Sequence, residues 1–402
     1  MFGPMTGRSP TPRCTLALAD GTVLQGRSFG ATGTRTGEVV FNTSMTGYQE
    51  IISDPSYCGQ IVTLTYPHIG NYGANPDDVE AARPFLHGLV IKEPSRRYSN
   101  FRATTSLEEY LIVHGVVGLY GVDTRALVKR IRTCGAMPGV LTTEIEEPAA
   151  YVRAAAEAPS MVGADLVRVV APRECARWAS ATGDAGFQIV AIDCGMKRTI
   201  LRRLTEACGT VQIVPPTVTA DEVMAYEPDG VFVSNGPGDP AAVHYAVELL
   251  KALLGSVPIF GICLGHQLLG RALGAETFKL RFGHHGANHP VRNLVTERIE
   301  ITTQNHGFAV SQESVEAVGG IPTHVSLNDG TLEGFRHREL PLLAVQYHPE
   351  AGPGPHDASY LFDCFRVMMA SRRGLSGEDL VAAQQPAGRQ GSARDRNGAT
   401  AG

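Results

Sequence analysis

The chain of 402 residues lacks any apolar run long enough to span a bilayer. It also lacks an excess of charge of one sign, because 35 basic residues face 40 acidic ones and the net charge is only -5. We therefore expect no binding to nucleic acid or to a membrane surface. Residues 1–13 contain no apolar segment typical of a signal peptide, so they are expected to be a disordered extension of a cytoplasmic protein.

Paired cysteines are missing as well. The sequence has eight cysteines, but no two of them show the C-x-x-C spacing of a zinc ribbon or a thioredoxin-type redox pair. Without a signal sequence, free thiols in a reducing cytosol are the expected state. Seven of the eight are expected to be small buried hydrophobic residues. The eighth, Cys263, lies in the unusual setting GICLG.

Two differently patterned halves are present. Residues 14–147 contain short β-rich runs, a hairpin turn at Asp20-Gly21, and a strand at GLVIKE. SLEEYLIVHG and DTRALVKRIRTCG are typical of helices, the second capped by Asp123 or Thr124. We expect a smaller mixed α/β N-terminal domain, whose topology the pattern leaves open.

The segments outside the two halves differ in composition. Residues 148–186, rich in Ala, Pro, Arg and Gly, are predicted to be a linker, part helical and part loop. Residues 373–402 are predicted to be a disordered tail, because they contain too few apolar residues to fold.

Residues 187–372 alternate regularly between apolar strands, such as FQIVAI and VPIFGIC, and amphipathic helices. Strands that are apolar on both faces and alternate with helices indicate an open, mostly parallel sheet with helices on both faces. The predicted fold class is therefore α/β. After Gly274 the pattern becomes more β-like, with a hairpin at HVSLNDGTLEGF, a strand at PLLAVQYHPE, and a last helix from about Ser359.

The stretch VPIFGICLGHQLLG runs from a strand directly into a helix through Gly-Ile-Cys-Leu-Gly. This is the pattern of a nucleophile elbow. It would hold the sulfur of Cys263 at the carboxyl edge of the sheet and at a helix N-terminus, where the thiolate is favoured. The N–H of Leu264 would serve as an oxyanion donor. A tight turn around an inert cysteine is the alternative that this pattern alone leaves open.

QYHPE, near the end of the second half, supplies a base and a carboxylate. Residues two apart in an extended segment face the same way, so His348 and Glu350 can lie on one side of the strand. The order cysteine, histidine, glutamate favours a catalytic triad over a surface turn. The loop SNGPGDP (234–240) would expose backbone N–H groups at the same edge. No Lys-Ser or Lys-Thr follows this loop, so a Walker motif is absent.

The segment FGHHGANHP carries three histidines, His284, His285 and His289. A zinc site is one interpretation, but no cysteine or carboxylate in the segment completes a ligand set. We favour a shaped loop and expect no metal.

Taken in order, GICLGHQ, SNGPGDP, QNHGF and QYHPEA closely resemble the motifs of the class I (triad) glutamine amidotransferases. The N-terminal stretch GEVVFNTSMTGYQEIISDPSYCGQIVTLTYPHIGNYG (37–73) resembles the small (glutaminase) subunit of carbamoyl phosphate synthetase. GVDTRAL, FGHHGANHPV and AGPGPHDA extend this resemblance over about residues 14–372. Cys194 departs from the family, which usually has an aromatic residue there, and the linker is divergent.

The resemblance implies that Cys263 is the nucleophile, His348 its base, and Glu350 the residue that orients the histidine. It implies that bound L-glutamine is held by Ser44, Gly236, Gly238, Leu264, Gln267, Asn305, Gly307 and Phe308. Ser44 would come from the other domain. The implied reaction hydrolyses glutamine to glutamate and ammonia through a cysteine thioester.

The resemblance also implies a partner. A large ATP-using synthetase subunit would receive the ammonia and make carbamoyl phosphate from bicarbonate, for arginine and pyrimidine biosynthesis. The two subunits would form a heterodimer that could assemble further. No cofactor is expected in this chain, while ATP and Mg or Mn are expected on the partner. The alternatives are an amidotransferase subunit of another synthetase, a non-catalytic scaffold subunit, and a stand-alone thiol peptidase of related fold.

Overall fold

The structure, a computed structural model, describes residues 12–145, 147–178 and 186–385. The strands of the N-terminal half are β1 (Arg13–Leu18), β2 (Val23–Ser28), β3 (Thr34–Asn42), β4 (Gln60–Leu64), β5 (His68–Ile69), β6 (Gly88–Val90), β7 (Glu93–Pro94), β8 (Val117–Tyr120) and β9 (Met137–Thr142). Its helices are α1 (Tyr48–Ser53), α2 (Leu107–Val113) and α3 (Thr124–Cys134). Seven strands close into a barrel in the order β1-β2-β8-β6-β4-β3-β9, while β5 and β7 form a separate pair.

Local sequence signals explain several of these elements. β1 and β2 form the predicted hairpin, with Gly21 at φ 87°. Ser106 and Glu109 form a capping box at the start of α2. The side chain of Asp123 accepts a hydrogen bond from the N–H of Ala126, so Asp123 caps α3, as one of the two predicted alternatives. The two predicted helices of this half are thus confirmed.

The second half contains the strands β10 (Ala176–Trp178), β11 (Phe187–Ile192), β12 (Gly209–Val214), β13 (Gly230–Val233), β14 (Ile259–Ile262), β15 (Thr277–Asn293), β16 (Ile299–Val310), β17 (Gly320–Ser326), β18 (Leu332–His337) and β19 (Leu342–Val345). Helices over the linker and this half are α4 (Pro148–Ala156), α5 (Val167–Val170), α6 (Arg198–Ala207), α7 (Ala220–Met224), α8 (His244–Leu253), α9 (Leu264–Leu273), α10 (Gln312–Ala317), α11 (Tyr360–Ser371) and α12 (Gly377–Ala383).

Ten strands form one sheet in the order β10-β12-β11-β13-β14-β19-β18-β17-β15-β16. The five strands from β12 to β19 are parallel, and the outer strands are antiparallel. Side chains of β11 alternate between two cores: Ile189 and Ala191 belong to one hydrophobic cluster, Val190 and Ile192 to the other. The sheet is therefore covered on both faces, as the uninterrupted apolar strands predict.

Near its C-terminal end, the linker contains a strand that was not predicted. Helices α4 and α5 agree with a partly helical segment, but β10 adds an antiparallel edge strand to the sheet. Its three residues are exposed and carry no apolar run, so no periodicity marked them as a strand. Residues 146 and 179–185 lie outside the described ranges, as do residues 1–11 of the predicted N-terminal extension.

The predicted disordered tail is wrong in its first part. Residues 377–383 form α12, which begins at a capping box between Ser376 and Asp379. Leu375 and Leu380 are 2% and 0% exposed in the core cluster beside α11. The burial of these two leucines therefore holds a segment against the core although its average composition predicted disorder. The prediction for residues 386–402 falls outside the described part of the chain.

No helix in the described ranges is both long enough and apolar enough to cross a bilayer.

Candidate active site

Cys263 sits between β14 and α9 with φ 56° and ψ -103°, a backbone conformation that side-chain-bearing residues rarely adopt. The neighbouring glycines make this turn possible. A Cβ on Gly265 would lie 2.2 Å from the carbonyl oxygen of Val233, and one on Gly261 would lie 2.8 Å from the carbonyl carbon of Gly265. The strained elbow predicted from GICLG is present, and it requires both glycines.

The elbow places the sulfur of Cys263 in a buried position, with the residue 2% exposed and Sγ 3.5 Å from the carbonyl oxygen of Asn305. The sulfur is also at the N-terminus of the ten-residue helix α9, whose dipole favours negative charge there. Leu264 is the first residue of that helix, so its N–H has no intrahelical acceptor. This N–H is available to an anion that forms next to Cys263.

His348 and Glu350 are joined by a 2.8 Å hydrogen bond from His348 Nδ1 to Glu350 Oε1. The predicted pair is present, but the reason given for it is wrong. β19 ends at Val345, and the chain turns instead of continuing as a strand: the N–H of Ala351 donates to the carbonyl of His348 at 3.2 Å. Ala351 adopts φ 51°, so the turn, and not strand alternation, brings the two side chains together.

The charges around His348 favour its protonated form. Burial by itself would lower the pKa of His348, but the nearby Glu350 carboxylate and the charge of Cys263 raise this pKa to about 10. Within the described residues, His348 Nε2 has no hydrogen-bond partner. Since Nδ1 is held by Glu350, Nε2 is the nitrogen that can exchange a proton. The imidazolium is therefore the form of His348 that this environment stabilises.

Lys197 extends this network and was missed in the sequence. Its ammonium lies 2.9 Å from Glu350 Oε1, 2.6 Å from the carbonyl oxygen of Gly352 and 3.9 Å from Glu80 Oε1. Lys197 is only 1% exposed. Burial would lower its pKa, but the two carboxylates raise it above the usual range. A lysine preceding a helix in DCGMKRTI gives no local signal of this role.

Glu350 is correspondingly held as a carboxylate. Burial of this fully enclosed group would raise its pKa, but Lys197 and His348 hold the pKa well below its usual range. Glu350 therefore stays ionised at neutral pH and can keep His348 in one orientation.

A cavity with about 370 Å³ of empty space opens next to Cys263. It is lined by most of the residues predicted to hold the ligand: Gly236, Gly238, Gln267, Asn305, Gly307 and Phe308. Other lining residues were not predicted: Ser56, Gln60, Met161, Pro237, His285 and His306. The structure thus gathers the sequence-predicted residues around the sulfur and adds polar groups from the barrel.

Ser44 lies in a smaller adjoining cavity of about 260 Å³, which His348, Lys197 and Asn305 also line. It follows β3 of the barrel, and its hydroxyl is buried without a hydrogen-bond partner among the described residues. An unsatisfied buried hydroxyl is costly unless a ligand completes it. The structure therefore brings Ser44 to His348 from the other half of the chain.

Further barrel residues hold the site from the same side. Asp54 Oδ2 accepts a 2.9 Å hydrogen bond from the side-chain amide of Asn305. Ser56 Oγ accepts one of 2.8 Å from the side chain of Asn235. Asp54 and Ser56 belong to SDPSYC, inside the stretch that carried the family resemblance. Their position in that stretch is the feature of the sequence that could have pointed to Asp54 and Ser56.

The linker fixes the loop 234–240. Gly238 has φ 93°, and a Cβ there would lie 2.6 Å from the carbonyl oxygen of Ala164. The N–H of Asp239 donates to the same carbonyl at 3.0 Å, and the Asp239 carboxylate accepts from the N–H of Gly163 at 2.9 Å. The linker therefore contacts the loop directly.

The histidine-rich segment joins a different cluster from the one considered in the sequence. The ligand atoms of His284, His306 and Glu333 lie within 4.8 Å of one another and could hold a metal ion. However, both ring nitrogens of His306 already lie within 3 Å of oxygen atoms of Phe308 and Gln304. Burial would lower the pKa of His284, but Asp329 and Glu333 raise it to about 9. An ion-paired histidine therefore accounts for this cluster.

Comparisons with known proteins find matches to both halves of the chain. The family described as "Carbamoyl-phosphate synthase small chain, CPSase domain" matches residues 16–141, and "Glutamine amidotransferase class-I" matches residues 190–368. A carbamoyl phosphate synthase small chain of Syntrophotalea carbinolica is 52% identical over 91% of this chain and 100% of its own length. Small chains of Synechocystis sp. and Akkermansia muciniphila are 51% and 53% identical over 89% and 90% of this chain, and 96% and 98% of their own lengths.

Proposed function

The chain belongs to the family of carbamoyl phosphate synthase small chains, and from that premise we propose that it hydrolyses L-glutamine and delivers ammonia to a large synthetase subunit. One observation supports this most directly: a buried cysteine on a strained elbow is close enough to His348 to raise the pKa of that histidine, which is hydrogen-bonded to Glu350. A scaffold subunit that had lost catalysis would not need this arrangement. The amidotransferase domain alone does not select the synthetase, but the barrel sequence does.

The first half of the proposed reaction forms a thioester. The Cys263 thiolate attacks the side-chain amide carbon of glutamine, and the oxyanion accepts hydrogen bonds from the N–H of Leu264 and from the loop 236–238. His348, as an imidazolium, protonates the departing nitrogen. The carbon–nitrogen bond breaks, ammonia leaves, and the γ-glutamyl group remains bonded to sulfur.

The second half returns the enzyme to its starting state. Neutral His348 takes a proton from water, and the resulting hydroxide attacks the thioester carbon. The carbon–sulfur bond then breaks, which releases glutamate and restores the thiolate and the imidazolium. Glu350, held ionised by Lys197, keeps His348 Nδ1 protonated in both halves.

The eight residues named for glutamine are proposed to hold it in the pocket, with Ser44 acting across the domain interface. The released ammonia would be used by the large subunit, which would bind ATP with Mg or Mn and phosphorylate bicarbonate. Carbamoyl phosphate would then supply arginine and pyrimidine synthesis in the cytoplasm. Coupling is chemically useful because ammonium, the main species at neutral pH, is not a nucleophile.

Co-expression with the large subunit tests this proposal. Cys263→Ala should abolish glutamine-dependent carbamoyl phosphate synthesis, a loss of several orders of magnitude, because the nucleophile is gone. Synthesis from added ammonia should persist, because that reaction bypasses this chain. The measurement is the rate of carbamoyl phosphate formation with each nitrogen source.

The matched control is Cys134→Ala, which removes an exposed thiol at the end of α3 and should leave both rates unchanged. Steady glutamine hydrolysis by Cys263→Ala would contradict the assignment. A trapped glutamyl thioester would also separate this reaction from peptide cleavage by a thiol peptidase.

A further inference from the structure

Far from Cys263 in the sequence, helix α3 borders a second cleft, with about 940 Å³ of empty space. We call it the basic cleft and define it by Pro67, Lys92, Arg125, Val128, Lys129 and Arg132. Pro67 and the half-buried Val128 supply apolar surface. The four cationic side chains are exposed, and no acidic residue lines the cleft.

The sequence of α3 explains why these side chains share one face. Arg125, Val128, Lys129 and Arg132 are spaced by three and four residues, so they lie on one side of the helix. Leu127 and Ile131 project from another side and are buried in the barrel core. Helix α3 therefore has one face buried in the barrel core and an outer face that is basic and partly apolar.

No acidic side chain in the described part of the chain neutralises these charges. Among the described residues, no ion pair or side-chain hydrogen bond involves Lys92, Arg125, Lys129 or Arg132. Arg130, on a different side of the same helix, pairs with Asp20 at 2.7 Å. Like charges spaced by three and four residues repel one another and destabilise a helix. A concentration of unpaired cations in a chain of net charge -5 calls for an acidic partner.

From these observations we propose that the basic cleft binds an acidic segment of the large synthetase subunit, one that carries an apolar side chain flanked by carboxylates. The inference rests on the proposed function, which requires such a subunit. The apolar residues Pro67 and Val128 would receive the apolar side chain, and the surrounding cations would pair with the carboxylates. A small inorganic anion would use the cations alone and leave this apolar surface in water.

Because the cations are exposed, they should act mainly on the rate of association and on its salt dependence. The double variant Arg125→Glu/Lys129→Glu should therefore bind the large subunit with an association rate lower by about 10- to 100-fold at 0.1 M salt. The difference should shrink at 1 M salt, where the charges are screened. Surface plasmon resonance with the immobilised large subunit measures both rates.

The matched control is Arg153→Glu/Arg338→Glu, which reverses two exposed arginines elsewhere on the chain. It should bind like the wild type. Glutamine hydrolysis by each full-length variant alone should stay at the wild-type level, which shows that the fold and the pocket are intact. Unchanged binding by the α3 variant, or equal weakening by the control, would overturn the inference. Failure of the wild type to bind the large subunit would instead overturn the proposed function.

A second measurement does not depend on charge reversal. Val128 is replaced by the photoreactive amino acid p-benzoylphenylalanine, and no other residue is changed. The complex of this variant with the large subunit is then irradiated and digested. The expected product links position 128 to a peptide of the large subunit that contains Asp or Glu. A link to a neutral or basic peptide, or no link in an assembled complex, contradicts the proposal. So does complete displacement of the large subunit by inorganic phosphate at constant ionic strength, since that would indicate a small-anion site.

Discussion

Next to Cys263, three buried side chains of alternating charge form a row: His348, Glu350 and Lys197. Each favours the charged state of its neighbour, because Glu350 raises the pKa of His348, and Lys197 lowers that of Glu350. Glu80 lies at the far end, 3.9 Å from the Lys197 ammonium. Removing one member of such a row leaves its neighbours buried and uncompensated.

Lys197→Met tests this row. The variant leaves Glu350 and Glu80 without their shared cation, and we expect a loss of about 3–5 kcal/mol in the free energy of unfolding. Lys197 holds the pKa of Glu350 below its usual range. The stability that this lowering contributes is therefore fully present above the ordinary glutamate pKa and is lost as the pH falls through the lowered pKa. In the variant this pKa rises, and the acid limb of kcat/KM for glutamine should move to higher pH.

Thermal unfolding and the pH profile of glutamine hydrolysis measure these two effects. Lys251→Met is the control, because Lys251 is exposed and pairs with Glu248 on the surface of α8. It should change neither quantity appreciably. An acid limb that stays in place in Lys197→Met would show that Lys197 does not act on Glu350.

The sequence pointed to the residues that we propose to react, but it did not point to the residues that support them. Cys263 lies in a five-residue pattern whose shape is dictated by its own glycines, so local sequence is enough. His348 and Glu350 were paired correctly but through strand alternation, because nothing local marks the turn at Ala351. Lys197 and Glu350 are 153 positions apart in the sequence, and a lysine that will be buried looks the same in a sequence as one that will be exposed.

At the scale of whole elements, α12 is the clearest departure from expectation. Leu380→Ala should cost about 2–5 kcal/mol in the free energy of unfolding, because it leaves a cavity in the core beside α11. Val381→Ala, one residue along on the same helix, is the matched control, since Val381 is 37% exposed. Thermal unfolding of the two variants compares them directly. Equal stability would mean that α12 does not pack against the core.

The parallel sheet could be predicted from the sequence, because apolar runs that alternate with amphipathic helices admit few other arrangements. The barrel could not be predicted in this way. Its strands pair between residues far apart in the chain, such as Thr34 with Thr142 and Gly88 with Val117. Nothing in a local pattern selects these partners. The edge strand β10 is too short to show a periodic pattern. Helix α12 contains too few apolar residues for its average composition to indicate a folded segment.

At the scale of the molecule, the site is assembled from both halves. Asp54 of the barrel is hydrogen-bonded to Asn305, which lines the pocket and whose carbonyl lies 3.5 Å from the sulfur of Cys263. Asp54→Ala removes one of the two hydrogen bonds that hold the Asn305 side chain, and the remaining one joins Asn305 Oδ1 to His285 Nδ1 at 3.0 Å. We expect KM for glutamine to rise by about tenfold or more, the equivalent of one lost hydrogen bond to a charged group, with a smaller effect on kcat.

Asp123→Ala is the control for this prediction. The Asp123 carboxylate accepts a hydrogen bond from the N–H of Ala126 and caps α3, and Asp123 does not line the pocket beside Cys263. Its variant should lose some stability without a change in KM. Steady-state glutamine hydrolysis by the full chain gives both constants. An unchanged KM in Asp54→Ala would show that the barrel does not position Asn305.

The contact between Ala164 and the loop at Gly238 bears on protein engineering. A designer who wants to transplant the amidotransferase half onto a foreign synthetase would naturally cut at Phe187, where the parallel part of the sheet begins. That excision would discard Gly163 and Ala164, which contact the proline-containing loop where it lines the cavity beside Cys263. A usable module must start upstream of Gly163 and must bring its own substitute for Asp54.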